Sequence, residues 1–324
     1  MSSRIGFVLV LLSCACSIPL AAQSLVTDIP VSGYPYGIAV NPSTNRIYAA
    51  VQPANNGTPT VAVIDGSSNT VIDSISVSQG VGEIAVNLTT NRVYTSGCSS
   101  QGCVVTVIDG AADTVTATIP ITKNQGIGIQ GIAVNPVTNR IYVSDATDTR
   151  VDVINGATNK VVGSFSFEGA QPLGLAVDFG TDEIAVAIDG PYLYIVSGAT
   201  NKILARVTAG QFAANVAVNA FTSQAYVTNE TFAPSTIAVV NLQNAQVEAN
   251  IPVGNNPFGI CVDLYTNLVF VTNTQDSTVA VVNGNSNAKT GSVNASSFLI
   301  DVNPVTRLVY ATSNSESVIH VISE

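Results

Sequence analysis

Few side chains in this 324-residue chain are equipped for catalysis. There is one histidine, His320, set between Ile319 and Val321. A single imidazole builds neither a His-based triad nor a multi-His metal site. An acid–base histidine also needs a partner and a cleft, so the apolar neighbours mark His320 as a structural residue of a strand. No Gly-x-Ser-x-Gly elbow is present to present a serine nucleophile. Gly126-Ile127-Gly128-Ile129-Gln130-Gly131 matches GxGxxG literally. It runs into an apolar extended segment rather than a helix, so the phosphate-binding context is missing. Cys98 and Cys103 share one loop, SGCSSQGCVV, without further Cys or His nearby. In an oxidising compartment they are expected to close a small disulfide loop rather than to hold a metal. Cys261 sits where other segments carry Ala and reads as a small buried hydrophobe. No catalytic residue, metal or cofactor is expected.

What the chain does carry is a phrase repeated seven times. GIAVNPSTNRIYAA begins at Gly37, and related copies begin at Glu83, Gly131, Gly174, Asn215, Gly259 and Leu299. The Asn or Asp that ends the AVN segment falls at 41, 87, 135, 178, 219, 263 and 303, with spacings of 46, 48, 43, 41, 44 and 40. Four short strands with their turns need roughly 40–45 residues, the length of a propeller blade, and helical spacing of the apolar residues is absent.

Each unit reads as four strands. Strand a is GIAV or similar and is followed by an Asn-Pro-x-Thr-Asn turn. Strand b is RIYV or similar, and after a variable loop strand c is VAVID or a relative. Asp65-Gly66, Asp109-Gly110, Asn155-Gly156 and Asn283-Gly284 then mark the c–d hairpin. The recurring Asp and Asn of these turns are read as turn formers rather than calcium ligands. Unit 7 has strands a to c only, whereas Leu25–Val31 looks like a strand d without a blade. Pairing the two would close the ring and remove its exposed edges. The expectation is an all-β, seven-bladed β-propeller of four-stranded antiparallel blades, closed by the N-terminal strand on the C-terminal blade.

Residues 1–22 read as a signal peptide, with Arg4 as the positive region, Ile5–Leu12 as the apolar core and cleavage after Ala22. Residues 23–324 form the propeller. A lipoprotein signal ending at Cys14 ranks second, and no later segment is apolar enough to span a membrane. The chain carries a formal charge of −10, and loss of Arg4 makes it one unit more negative. Such a surface repels nucleic acid. Only 10% of the residues are charged, so Ser, Thr, Asn and Gln cover the outside. An exported monomer, periplasmic or extracellular, is the expected form.

Tyr226-Val227-Thr228-Asn229 spells YVTN, and Phe270-Val271-Thr272-Asn273 is one conservative step away. With AVNPxTNR before and VxVID after, the whole span from 23 onwards resembles the YVTN-type β-propeller repeat proteins, found among bacterial exported and archaeal surface-layer proteins. The resemblance implies a seven-bladed propeller outside the cytoplasm without assigned enzymatic activity, and it supplies no catalytic motif. Unit 4 departs most, since Ala185 replaces the Tyr of strand b. The lack of Trp sets the chain apart from WD40 and kelch blades.

In a propeller the a–b and c–d turns share one face and the d–a and b–c loops the other. The first set here is stereotyped and the second varies, so recognition is expected on the d–a and b–c loops. Tyr34, Tyr36, Phe232 and Phe258 are the candidate aromatic anchors. Asp145, Asp148, Asp189, Glu230, Asp276 and Glu316 would make that face negative and suited to a basic partner. The ligand, whether protein, peptide or glycan, is left open. Two other functions compete: a lactonase-like, metal-assisted hydrolase in the central channel, with Glu83 and Glu168 as its carboxylates, and a structural cell-envelope module.

Overall fold

A computed structural model describes residues 23–55, 57–124, 126–230 and 235–324. They form seven four-stranded antiparallel sheets set around an axis, and no helix occurs among them. Blade 1 is built from Tyr34–Asn41, Arg46–Gln52, Thr60–Asp65 and Thr70–Ser76 as strands a to d, and blades 2 to 6 repeat that order. Strands a of neighbouring blades touch one another while strands d scarcely meet, so a lines the axis and d forms the rim. The composition of each strand follows. Strand c is buried on both faces, as in Val61–Ile64, and strand d is exposed apart from Ile75 near its end.

The core is not inside any blade. Seven apolar clusters each draw on two consecutive blades. A single sheet has no second layer to bury its faces, so each blade is stable only between its neighbours.

The strand b tyrosines show how the repeat meets this demand. Tyr48, Tyr94, Tyr142, Tyr226 and Tyr310 are fully buried. Four of them, Tyr48, Tyr142, Tyr226 and Tyr310, lean towards the c–d turn of the following blade: Tyr48 Oη donates to the Gly110 carbonyl at 3.3 Å, and Tyr310 Oη to Asn69 Oδ1 at 3.2 Å. A Cβ added to Gly284 would lie 2.2 Å from Tyr226 Oη. The Gly of the Asp-Gly pair therefore makes room for a neighbour's ring. The loop holds four residues between Asp65 and Thr70, rather than the two of a tight hairpin, and the left-handed residue is Asn69, with φ 53°. Blade 4 confirms the pairing by exception. Where the ring shrinks to Ala185, the facing turn of blade 5 carries Leu242 instead of Gly, and both lie in one buried cluster. Blade 4 is otherwise regular, with Glu183–Ile188 as its strand b.

A second inter-blade contact comes from the Asn that ends strand a. Its Oδ1 caps its own turn, as when Asn41 accepts from the Ser43 amide at 3.1 Å. Its Nδ2 reaches the next blade. Asn41 donates to Asn91, Asn87 to Asn139, Asn135 to Asp182, Asn219 to Asn267 and Asn303 to Asn45, all within 2.7–2.8 Å.

The ring closes as the strand pattern requires. Leu25–Pro30 pairs antiparallel with Val318–Ser323, Ile29 opposite Ile319 and Asp28 opposite His320. Ile29 is buried in the cluster between blades 7 and 1. His320 donates from Nδ1 to Asp28 Oδ1 at 2.7 Å, which places the histidine in the closure. Cys98 and Cys103 are opposed across the b–c hairpin of blade 2 and joined by a disulfide. Gly128 packs against Cys98 Sγ at the start of strand a of blade 3, so the glycine-rich stretch serves a strand. The segment 1–22, including Cys14, lies outside the described residues.

Candidate functional site

The d–a and b–c loops do gather on one face, tied by backbone bonds such as Glu230 N–H to Phe212 O and Thr274 N–H to Asn256 O. A bulge builds the site there. Pairing of strands a and b shifts register between Pro35 and Ile38, Pro172 and Leu175, Ala213 and Val216, and Pro257 and Ile260. Bulges bend a strand and re-aim its side chains. Here they place Tyr36, Leu173, Ala214 and Phe258, with Gly82, Gln130 and Phe298 at the corresponding positions of the other blades, around the channel mouth. The glycine that follows is demanded by proximity: a Cβ at Gly37 would lie 2.3 Å from the Gly82 carbonyl oxygen, and one at Gly259 as close to that of Phe298.

The Thr of the YVTN segment holds this ring. Thr228, Thr272 and Thr312 accept through Oγ1 from the amides of Asn215, Gly259 and Leu299 in their own blades. The same hydroxyls donate to the Phe258, Phe298 and Tyr36 carbonyls of the following blades at 2.8–3.2 Å. One hydroxyl so fixes a bulge and joins two blades.

Of the expected anchors, Tyr36 and Phe258 are drawn together by a residue that the sequence did not single out. Phe298 stacks on Phe258 with ring centroids 4.5 Å apart and meets Tyr36 edge-to-face at 6.2 Å. Tyr34 is exposed at the start of strand a of blade 1. Phe232 lies outside the described residues. Two cavities flank the aromatic trio. One, of about 350 Å³, is bordered by Tyr36, Gln52, Gly82 and Cys98. The other, of about 260 Å³, is bordered by Gln130, Asp189, Phe212, Asn215, Glu230 and Phe258. Phe212 was also missed. Aligning the repeats on the bulge glycine marks Phe298, whereas Phe212 has no counterpart in the other units.

The acids expected to charge this face behave differently from one another. Asp145 is fully buried, and Arg150 lies 3.6 Å from it, 3.1 Å from Asp148 and 2.9 Å from Asp152. One guanidinium thus ties the b–c loop of blade 3 to strand c and offsets one of the three negative charges. Asp276 accepts from the Asn255 amide and side chain, and Glu316 sits 3.7 Å from His320 Nε2. Asp189 and Glu230 are the two that border a cavity. Burial raises the Glu230 carboxyl above its ordinary range, partly offset by Asn256. Burial also raises carboxyls along the axial strands: Glu83 is pushed up to about 7, and Asp301, in strand a of blade 7, to about 6. Asp301 accepts from the Val40 and Val302 amides at 2.8 Å and borders the bore. Glu83 opens the axial strand of blade 2, while Glu168 is exposed beyond the rim strand of blade 3, so the two do not face a common centre. Among the described residues no group of three His, Cys, Asp or Glu side chains is placed to hold a metal.

No protein-family model matches the chain, and no curated protein matches it. Many solved chains share the architecture. A chain of Kuenenia stuttgartiensis hydrazine synthase superposes with a TM-score of 0.77 over 92% of this chain and 97% of that one, at 14% sequence identity. At that identity the likeness is one of fold: this chain is similar to it as a seven-bladed β-propeller.

Proposed function

We propose that this chain is an exported, non-enzymatic β-propeller of the YVTN type that binds a cationic group, a protonated amine or a guanidinium carried by a peptide or protein partner. The cavity beneath Phe212 and Phe258 supports this reading. It sets two carboxylates, Asp189 and Glu230, among two aromatic rings and the amides of Gln130 and Asn215. Acids supply the charge complement and rings the favourable face for a cation. Its volume, near 260 Å³, suits one side chain rather than a whole metabolite.

Calorimetric titration with lysine- and arginine-containing peptides tests the reading. Binding should weaken at least tenfold in the double variant Asp189→Asn, Glu230→Gln and several-fold in Phe258→Ala. Equal affinity for a matched acidic peptide, or no change in the double variant, refutes it. Export is tested by the mature N-terminus, which begins at Gln23 after signal cleavage or at a lipidated Cys14. Turnover of a lactone or ester panel that disappears in Glu83→Gln would replace binding by catalysis.

A further inference from the structure

The opposite face carries a second surface. Every a–b turn follows its buried Asn or Asp with three residues that protrude from the blade, and the third is Thr in all seven. None of these twenty-one positions holds Asp, Glu, Lys or Arg, in a chain of charge −10. In six consecutive blades, 2 to 7, they carry a large apolar side chain instead: Leu88, Val137, Phe179, Phe221, Tyr265 and Val305. Val137 and Tyr265 are each 72% exposed, Val305 70%, Phe221 59% and Leu88 43%. The patch is continuous across blades 4 to 6, where Phe221 meets Phe179 at 6.3 Å and Tyr265 at 5.7 Å. The collar surrounds an apolar bore of about 380 Å³ lined by the strands a.

We propose that this face rests on a lipid bilayer of zwitterionic headgroups, with the collar inserted at the level of the headgroups. Large exposed apolar patches on folded proteins mark interaction sites. A collar of aliphatic side chains with Tyr and Phe at turn tips has the composition of an interfacial anchor. Charge selects this occupant. Two copies set face to face would oppose two net negative molecules across the patch, and an anionic membrane would be repelled alike. A zwitterionic surface imposes neither cost. The d–a and b–c face with its acidic cavity is then turned to solvent.

The chain holds no Trp, which makes a single introduced one a clean reporter. In full-length Tyr265→Trp, phosphatidylcholine vesicles should shift the emission to the blue, and brominated lipid should quench it. In Tyr34→Trp, on the opposite face, neither should occur. Adding Val137→Ser, Phe221→Ser and Val305→Ser to the Tyr265→Trp chain should weaken partitioning at least tenfold with an unchanged circular dichroism spectrum. Vesicles with one third phosphatidylserine should bind several-fold more weakly. An emission unaffected by vesicles overturns the proposal. So does a blue shift without lipid that grows with protein concentration alongside a doubled mass in light scattering, which would assign the face to a second copy. Since the reporter lies opposite the acidic cavity, this outcome and that of the peptide titration are independent.

Discussion

At the scale of the residue, each letter of the repeat has a task directed at the next blade. The tyrosine fills the space that a glycine leaves, the threonine joins a hydroxyl to a neighbouring bulge, and the asparagine donates across a turn. The exceptions are the most informative positions. Ala185 and Leu242 exchange the volumes of Tyr and Gly across one interface. Leu242→Gly should cost about 2–5 kcal/mol as a cavity and Ala185→Tyr about 1–3 kcal/mol as overpacking. The double variant should cost less than their sum, which a denaturant-based double-mutant cycle measures. Asp178 departs from Asn and cannot donate, and its Oδ2 is buried without a partner. Asp178→Asn should therefore stabilise by about 1 kcal/mol, read from the urea midpoint. Glu83 and Asp301, with Glu324 raised to about 7 as well, contribute to the pH response above about pH 4. Their folded values lie above the unfolded ones, so the stability they allow is complete below about pH 4 and declines up to about pH 7. The melting temperature should be lower at pH 8 than at pH 5, and Glu83→Gln should remove part of that difference.

At the scale of the element, the strand that closes the ring is the one with the greatest leverage. Ile29 is its one buried residue, and Val26 is exposed. Ile29→Ala should cost about 2–5 kcal/mol, whereas Val26→Ala should stay within about 0.5 kcal/mol. Hydrogen exchange should show the amides of Val318–Ser323 losing protection in the first variant and keeping it in the second. A similar cost for both would mean that the strand is held by backbone pairing alone. The disulfide acts more locally. It closes a loop between Cys98 and Cys103, five positions apart, so the double Ser variant should lose roughly 2 kcal/mol in the chain-entropy picture, as a denaturant titration under oxidising conditions reports.

At the scale of the whole molecule, seven clusters, one at each interface, make a closed ring rather than an open stack. Closure gives every blade two neighbours, and it also produces two faces of opposite character. One is a mouth built from bulges, with aromatic rings and an acidic cavity. The other carries an apolar collar at the tips of its a–b turns.

Much of this was legible in the sequence, because a repeat writes its constraints seven times. The blade number, the strand order, the closing strand and the burial of the tyrosines all follow from period and alternation, which depend on residues near one another in the chain. Tyr36 and Phe258 were legible as mouth residues for the same reason. Other features required the ring itself. Phe298 stacks between two blades, Arg150 pairs with Asp145 and Asp148 of the expected negative face, and Phe179, Phe221 and Tyr265 become neighbours across turns more than forty residues apart. Local pattern decided what each blade would be. Which side chains share a surface was decided only by how the blades were rotated about their common axis, since side chains from separate units meet only after the chain has closed.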